Sequence, residues 1–317
     1  MTWLTWRLHR TEAAIGILLF AALIVIMLLA TQSVDAAYHA AVTGGCLDVG
    51  QGILCSERLT NYFERSSRWS NLTTLLHGVP LAVATLLAIP TLQELARGTH
   101  RLAWTQSISR RRWSLSRLGF AASIATLVAL IWVLTAREWR ASILRDEAQQ
   151  GFGQNAFDLS PAVLMGYALF AVALALTAAV VVRRLVPVLA LTAVGFIGTR
   201  IFTTFVLRER YRDPIEETIP ATDDMGPGLA FQDRWILDET WLTRTGERLS
   251  WDRVYQLCPP AANEQNPEPE TSYQQCLFDN GLQYFQAFHP TDRFGQFQLI
   301  ETTLYLGVAA GLFAFAC

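Results

Sequence analysis

Residues Pro161–Leu207 read PAVLMGYALFAVALALTAAVVVRRLVPVLALTAVGFIGTRIFTTFVL, two long apolar runs divided by the pair Arg183–Arg184. A helix crossing ~30 Å of hydrocarbon needs about 20 apolar residues, so each run is long enough to span a bilayer. The two arginines leave room only for a tight hairpin turn. Pro187 falls in the first turn of the second helix, where a missing N–H costs little. Working outward, the windows Ala13–Thr31, Asn71–Leu92, Leu115–Ala136 and Gln298–Cys317 have the same character. The chain of 317 residues is 52% hydrophobic and 16% charged, against about 25% charged in soluble domains. Its length alone would allow two soluble domains, but these windows exclude an ordinary soluble enzyme. The expected fold is an all-α polytopic membrane protein with six transmembrane helices.

Orientation follows from the arginines, which supply all 25 basic residues. With the N-terminus cytoplasmic, the inner segments hold ten Arg against two acids, and the outer ones fourteen Arg against 24 acids. The positive-inside rule therefore places both termini in the cytoplasm. The first span follows charged and Trp-containing residues and lacks a small-residue cleavage pattern, so it reads as a retained helix. Residues 1–12, with TWLTWRLHR, read as an interfacial amphipathic helix. Residues 13–207 then hold transmembrane helices 1–5, with a cytoplasmic loop at 93–114. Residues 208–297 form an extracellular domain, and 298–317 the sixth helix, which reads as truncated by the end of the sequence. A net charge of −2 excludes a bulk polyanion-binding surface, so no nucleic-acid partner is expected.

The 208–297 segment is too long for a structureless connection. Phe231, Trp235, Ile236, Leu237, Trp241 and Leu242 recur at spacings of three and four, which predicts an amphipathic helix. A second short helix, Trp251–Leu257, precedes Cys258, and Asn263–Glu270 reads as a polar loop. The expectation is a small, mainly helical extracellular domain between helices 5 and 6. Cys46 and Cys55 fall in the first outer segment, and Cys258 and Cys276 in the large one. Oxidising compartments favour disulfides. Three connectivities are open to four cysteines, and pairing within each segment is the simplest. Cys317 is expected to be unpaired, and no Cys/His spacing predicts a metal site.

Polar residues inside the spans are the candidate pathway: His77, Thr199, Arg200, Thr203, Thr204 and Glu301. A central Arg costs ~2.5–3.5 kcal/mol on insertion scales and faces protein or water rather than lipid. Arg200 has a functional reading, attraction of an anionic part of a cargo. Its favoured reading is structural, pairing with an acid, for which Glu301 is one choice. His77 in LLHGVP suits a hydrogen bond between helices better than a pH sensor. The acid pairs Glu216–Glu217 and Asp223–Asp224 read as solvated loop.

The strongest local signal is Glu94–Trp113, ELARGTHRLAWTQSISRRRW. Its arginines suit an anionic inner leaflet, and its Trp and Arg equally suit a docking surface. The run GTHRLAWTQSISRRRW (Gly98–Trp113) closely resembles the signature loop of a family of permease subunits of ABC-2-type ABC exporters, common in actinobacteria. TWLTWRLHRTEA (Thr2–Ala13), PVLALTAVGF (Pro187–Phe196) and HPTDRFGQFQLIETTLYL (His289–Leu306) resemble the family in the same order. Ala96 departs from it, since many relatives carry an acid there.

The resemblance implies a bacterial plasma-membrane protein, embedded in lipid and paired with a second permease copy. Two separately encoded cytoplasmic ATPase subunits would bind beneath and carry the ATP and magnesium. The loop would be a coupling helix, with Glu94, Gly98, Thr99, His100, Arg101 and Trp104 as contact candidates. No GxxxxGK[ST] run is present and the chain has no Lys, so the expectation is a subunit that is not itself an enzyme and holds no cofactor. The expected function is outward movement of amphipathic or hydrophobic compounds such as an antibiotic, lipid or peptide. The alternative is a non-transporting sensor or immunity protein that binds a toxin at the extracellular domain.

Overall fold

The structure, a computed structural model, describes residues 2–44, 46, 53–96, 98, 110–145, 152–221, 234–259 and 273–316. Helices α1 (Thr2–Thr43), α2 (Ile53–Leu76), α3 (Val79–Ala96) and α4 (Arg110–Ser142) come first. A short α5 (Gln154–Asp158) leads into α6 (Pro161–Val182) and α7 (Leu185–Phe202), which a π-helical turn (Thr203–Leu207) and a 3-10 turn (Arg208–Arg210) prolong. Then follow β1 (Ile215–Pro220), β2 (Arg234–Leu242), β3 (Arg248–Leu249), α8 (Trp251–Leu257), α9 (Tyr273–Asp279), β4 (Gln283–Pro290) and α10 (Phe294–Ala316). Two compact units result: Met1–Ala148 with Gln154–Arg208 and Gln296–Cys317, and Gln149–Gly153 with Glu209–Gly295.

In the helical unit, six helical segments among the described residues are long and apolar enough to cross a membrane. A helix apolar on every side belongs at the centre of a bundle, and α6 takes that place. Of its most apolar window 67% is buried, against 17% for α1 and for α7. Small residues bring its neighbours close: a Cβ at Gly166 would stand 3.4 Å from Thr302 Cα on α10. Ser160, in extended conformation, precedes Pro161 at the first helical position. At the other end Arg183 turns left-handed (φ 56°) and its N–H bonds Ala179 O at 3.2 Å, closing α6.

The 42 residues of α1 extend ~63 Å at 1.5 Å per residue, twice the hydrocarbon thickness. Much of the first outer segment, expected between the windows ending at Thr31 and starting at Asn71, therefore continues α1 and α2 as helix. Trp132 and Trp139 of α4, Met27 of α1 and Leu76 of α2 form one buried cluster. Trp139 Nε1 donates to Thr73 Oγ1 (3.1 Å), and Ser142 Oγ to Thr31 O (3.2 Å). A Cys46–Cys55 disulfide (Cα–Cα 5.1 Å) joins the ends of α1 and α2. The helix breaks at His77–Gly78, where Gly78 N–H bonds Leu75 O and α3 opens with Pro80 in its first turn.

The second unit departs from expectation. It is built on a four-stranded antiparallel sheet of order β1-β4-β2-β3, not mainly on helices. Phe231 lies outside the described residues; from Arg234 on, the stretch expected as an amphipathic helix is β2, whose aromatic and β-branched residues suit a pleated surface. A bulge between Ile236 and Asp238 is what disguised it. The extra residue shifts the side-chain phase, so Ile236 and Trp241, five apart, share a face (partners Phe288 and Tyr284). Strict alternation is lost and a spacing of three and four remains. Trp251–Leu257 is helical as expected, capped by Ser250 Oγ accepting from Arg253 N–H. Val254, Leu277, Leu282, Tyr284 and Trp241 close a core, and a Cys258–Cys276 disulfide (Cα–Cα 5.6 Å) ties α8 to α9. Asn263–Glu270 lies outside the described residues.

Candidate functional site

The helical unit buries four charges together. The short α5 ends in Asp158, next to the start of α6, and Asp158 takes a bond from each of two arginines. Arg200 Nη2 donates to Oδ2 at 2.5 Å and Arg208 Nη2 to Oδ1 at 2.6 Å. Arg208 also grips Glu301 of α10 with two bonds, Nε to Oε2 (3.0 Å) and Nη2 to Oε1 (2.9 Å). Tyr167 of α6 donates its hydroxyl to Glu301 and lies 3.3 Å from Asp158 Oδ1. Tyr305 completes the cluster, stacked edge-on against Tyr167 and donating to Thr203 Oγ1 at 3.1 Å.

The π-turn makes this arrangement geometrically workable. At ~100° per residue, eight α-helical residues overshoot two turns by ~80°, so Arg208 would point away from Arg200. The wider turn at Thr203–Leu207 absorbs that excess and puts both guanidiniums against Asp158. Two positive and two negative charges balance, as a low-dielectric setting requires. Side-chain exposure is 4% at Arg208, 2% at Asp158 and 0% at Glu301, but 14% at Arg200. Each arginine also lies over an aromatic face, Arg200 over Tyr167 (3.7 Å) and Arg208 over Phe157 (4.1 Å).

Of the expected pathway residues, Arg200, Thr203 and Glu301 meet here, and His77 at the α2–α3 break lies within electrostatic reach of Asp158. Thr199 instead bonds Gly195 O in its own helix (2.7 Å), and Thr204 is half-buried in the π-turn without joining the cluster. Glu301 is not the partner of Arg200: it pairs with Arg208, and Asp158 takes Arg200. Asp158, Tyr167 and Arg208 carry the cluster yet gave no sequence signal. Asp158 and Arg208 border apolar runs, where charges are ordinary, and the π-turn leaves no mark in composition.

Of the expected coupling residues, Glu94 is half-buried near the end of α3. Gly98 has φ +71° and bonds Leu95 O, a conformation favouring glycine where the helix stops. Thr99, His100, Arg101 and Trp104 lie outside the described residues.

Among the described residues of the sheet unit, His289 is a fully buried titratable group. Arg293 Nη1 must donate to its Nδ1 (3.3 Å), so Nε2 carries the proton and donates to Glu209 O (3.2 Å). Burial lowers the imidazole below its ordinary value; Arg293 lowers it further, against the opposing pull of the Glu209 carbonyl. His289 is therefore a neutral structural histidine. Among the described residues no group of three or more His, Cys, Asp or Glu is placed to hold a metal ion.

A family model described as ABC-2 membrane transporter related matches residues 17–208, 192 of the 317 residues. No curated protein matches the chain, and no solved structure does. The matched region runs from α1 to Arg208, taking in Asp158, Tyr167, Arg200 and Arg208 of the buried cluster, while Glu301 falls beyond it. With well over half of its length matched, the chain belongs to the ABC-2 membrane transporter related family.

Proposed function

We propose that this chain is the permease subunit of an ATP-driven exporter, working as one of a pair of permeases above two cytoplasmic ATPase subunits. Family membership makes it a membrane component of an ABC transporter, not itself an enzyme, and implies an ATPase partner. That match, joined to six candidate spans, is the observation that carries the reading. The arginine distribution sets the direction, with both termini and the 93–114 loop in the cytoplasm. Under this orientation the 208–297 segment lies on the outer side of the membrane.

The 93–114 segment is the lever. ATP binding draws the ATPases together and pushes on Glu94, Gly98, Thr99, His100, Arg101 and Trp104, and the spans rock between inward-open and outward-open states. Energy reaches the cargo only if ATP and cargo each bind the two states with different affinity. The Asp158–Arg200–Arg208–Glu301 cluster ties α5, α7 and α10 around Tyr167 of α6, so these elements move as one body. The cargo is an amphipathic or hydrophobic compound taken from the membrane.

Purification of the full chain from its native membrane tests this. A nucleotide-binding chain is expected to co-purify in equal amount with the permease. A chain that moves cargo with no nucleotide-binding partner would overturn the proposal.

A further inference from the structure

The two arginines of the buried cluster are unequally satisfied. Arg208 spends its donors on Asp158, both oxygens of Glu301 and the Tyr167 hydroxyl. Arg200 makes one hydrogen bond, Nη2 to Asp158 Oδ2, out of the five N–H donors that a guanidinium carries. Its Nε and Nη1 have no partner among the described residues, and its side chain is 14% exposed where that of Arg208 is 4%. A cation at membrane depth needs its donors met by protein, water or an anion.

The surroundings say what kind of anion. Along α7, Ile197, Ile201 and the following Phe205 are exposed (50%, 55% and 62%), a surface that suits acyl chains or another apolar body. Beside the acids, Ser160 Oγ and Thr302 Oγ1 are buried with no partner among the described residues, so unmet polarity gathers at this level of the bundle. Charge-assisted bonds from Arg to phosphate or carboxylate are the strong ones.

We infer that Arg200 is a binding point for the phosphate or carboxylate headgroup of a membrane amphiphile, whose apolar body lies along the exposed face of α7. Asp158 competes for the same guanidinium, and Arg208 keeps Asp158 paired when Arg200 turns to the ligand. This rests on the permease reading in one respect: it names the class of cargo as anionic amphiphiles.

The test uses the full chain in nanodiscs of equal phosphatidylglycerol and phosphatidylcholine, with the lipid that stays bound counted by native mass spectrometry. The wild type retains phosphatidylglycerol in preference. Arg200→Gln lowers that retention about tenfold, the loss of roughly one charge-assisted contact, and Asp158→Asn raises it by freeing the guanidinium. Arg248→Gln, the same charge change in the sheet unit, leaves it unchanged. Excess inorganic phosphate does not strip the lipid; if it did, the site would be for free anions and the amphiphile assignment would fall. Equal retention by wild type and folded Arg200→Gln would overturn the inference. If Arg200→Gln does not fold, Asp158→Asn decides alone: retention equal to or below wild type overturns it. Failure here leaves ATPase docking untouched, and a missing ATPase would leave this retention untouched.

Discussion

The two units of this molecule use the same ion pairs in opposite ways. In the helical unit the Arg208–Glu301 pair is 4% and 0% exposed, and Asp158 is 2% exposed. In the sheet unit Arg248–Asp238 is 60% and 48% exposed, and Arg234–Glu217 25% and 44%. The distances are nearly equal, 2.9 Å for both Arg208–Glu301 and Arg248–Asp238. Geometry therefore does not separate them; the surroundings do. A solvated pair gives back in desolvation and side-chain entropy most of what attraction supplies. A buried pair contributes little as a whole, but losing one member strands an uncompensated charge. The helical unit is thus brittle toward single charge changes and the sheet unit tolerant, its stability resting on its apolar core and its disulfide.

The comparison breaks most visibly at Arg208. Arg208→Ala strands Glu301 without a cation, while Asp158 keeps Arg200, and should cost about 3–5 kcal/mol, read as a large fall in melting temperature of the detergent-solubilised chain. A fall no larger than for a surface arginine would show that the cluster is solvated. Next comes the sheet unit's staple. Removing Cys258–Cys276, which closes a loop with a separation of 18 residues, should cost ~3 kcal/mol on the chain-entropy model. Tryptophan fluorescence, through Trp241 beside Tyr284, would report the loss, and no change on reduction would contradict it.

A smaller effect follows pH. The value of His289 is depressed in the folded chain, so the unfolded chain takes up the proton first as pH falls. Its stabilisation is whole above the unfolded value of about 6.5 and is lost progressively below it. The sheet unit should therefore melt earlier at pH 5 than at pH 7. His289→Gln should flatten that slope, and an unaltered slope would assign it elsewhere. Smallest of all, Arg248→Ala should change stability by no more than ~0.5 kcal/mol, within the scatter of a melting curve. A larger loss would mean that this exposed pair is not solvated.

The six spans were legible because crossing hydrocarbon demands long charge-free runs, and Pro161–Val182 shows that demand without any tertiary knowledge. Arg200 was legible as a cation needing an acid. Its partner was not: Asp158 lies 42 residues away in sequence, on a five-residue helix that nothing in composition marks. Arg208 was read as the first residue of a solvated segment, because the π-turn that swings it inward has no sequence signature. In the sheet unit the bulge at Leu237 converted strand alternation into a helical spacing, while Ser250 and the Trp251–Leu257 run kept their helical signal. Local rules carried the elements they govern. Contacts made across the bundle, and one inserted residue in a ladder, were beyond them.

The central claim is that the 93–114 segment couples this permease to a separate motor. Its most direct measurement is the ATPase rate of the reconstituted complex, with wild-type permease and with Arg101→Ala and Trp104→Ala combined. The account predicts that the wild-type permease stimulates hydrolysis, and that the double variant, still folded and still in the membrane, leaves the ATPase at its unassisted rate. Stimulation by the variant equal to that of the wild type would contradict it.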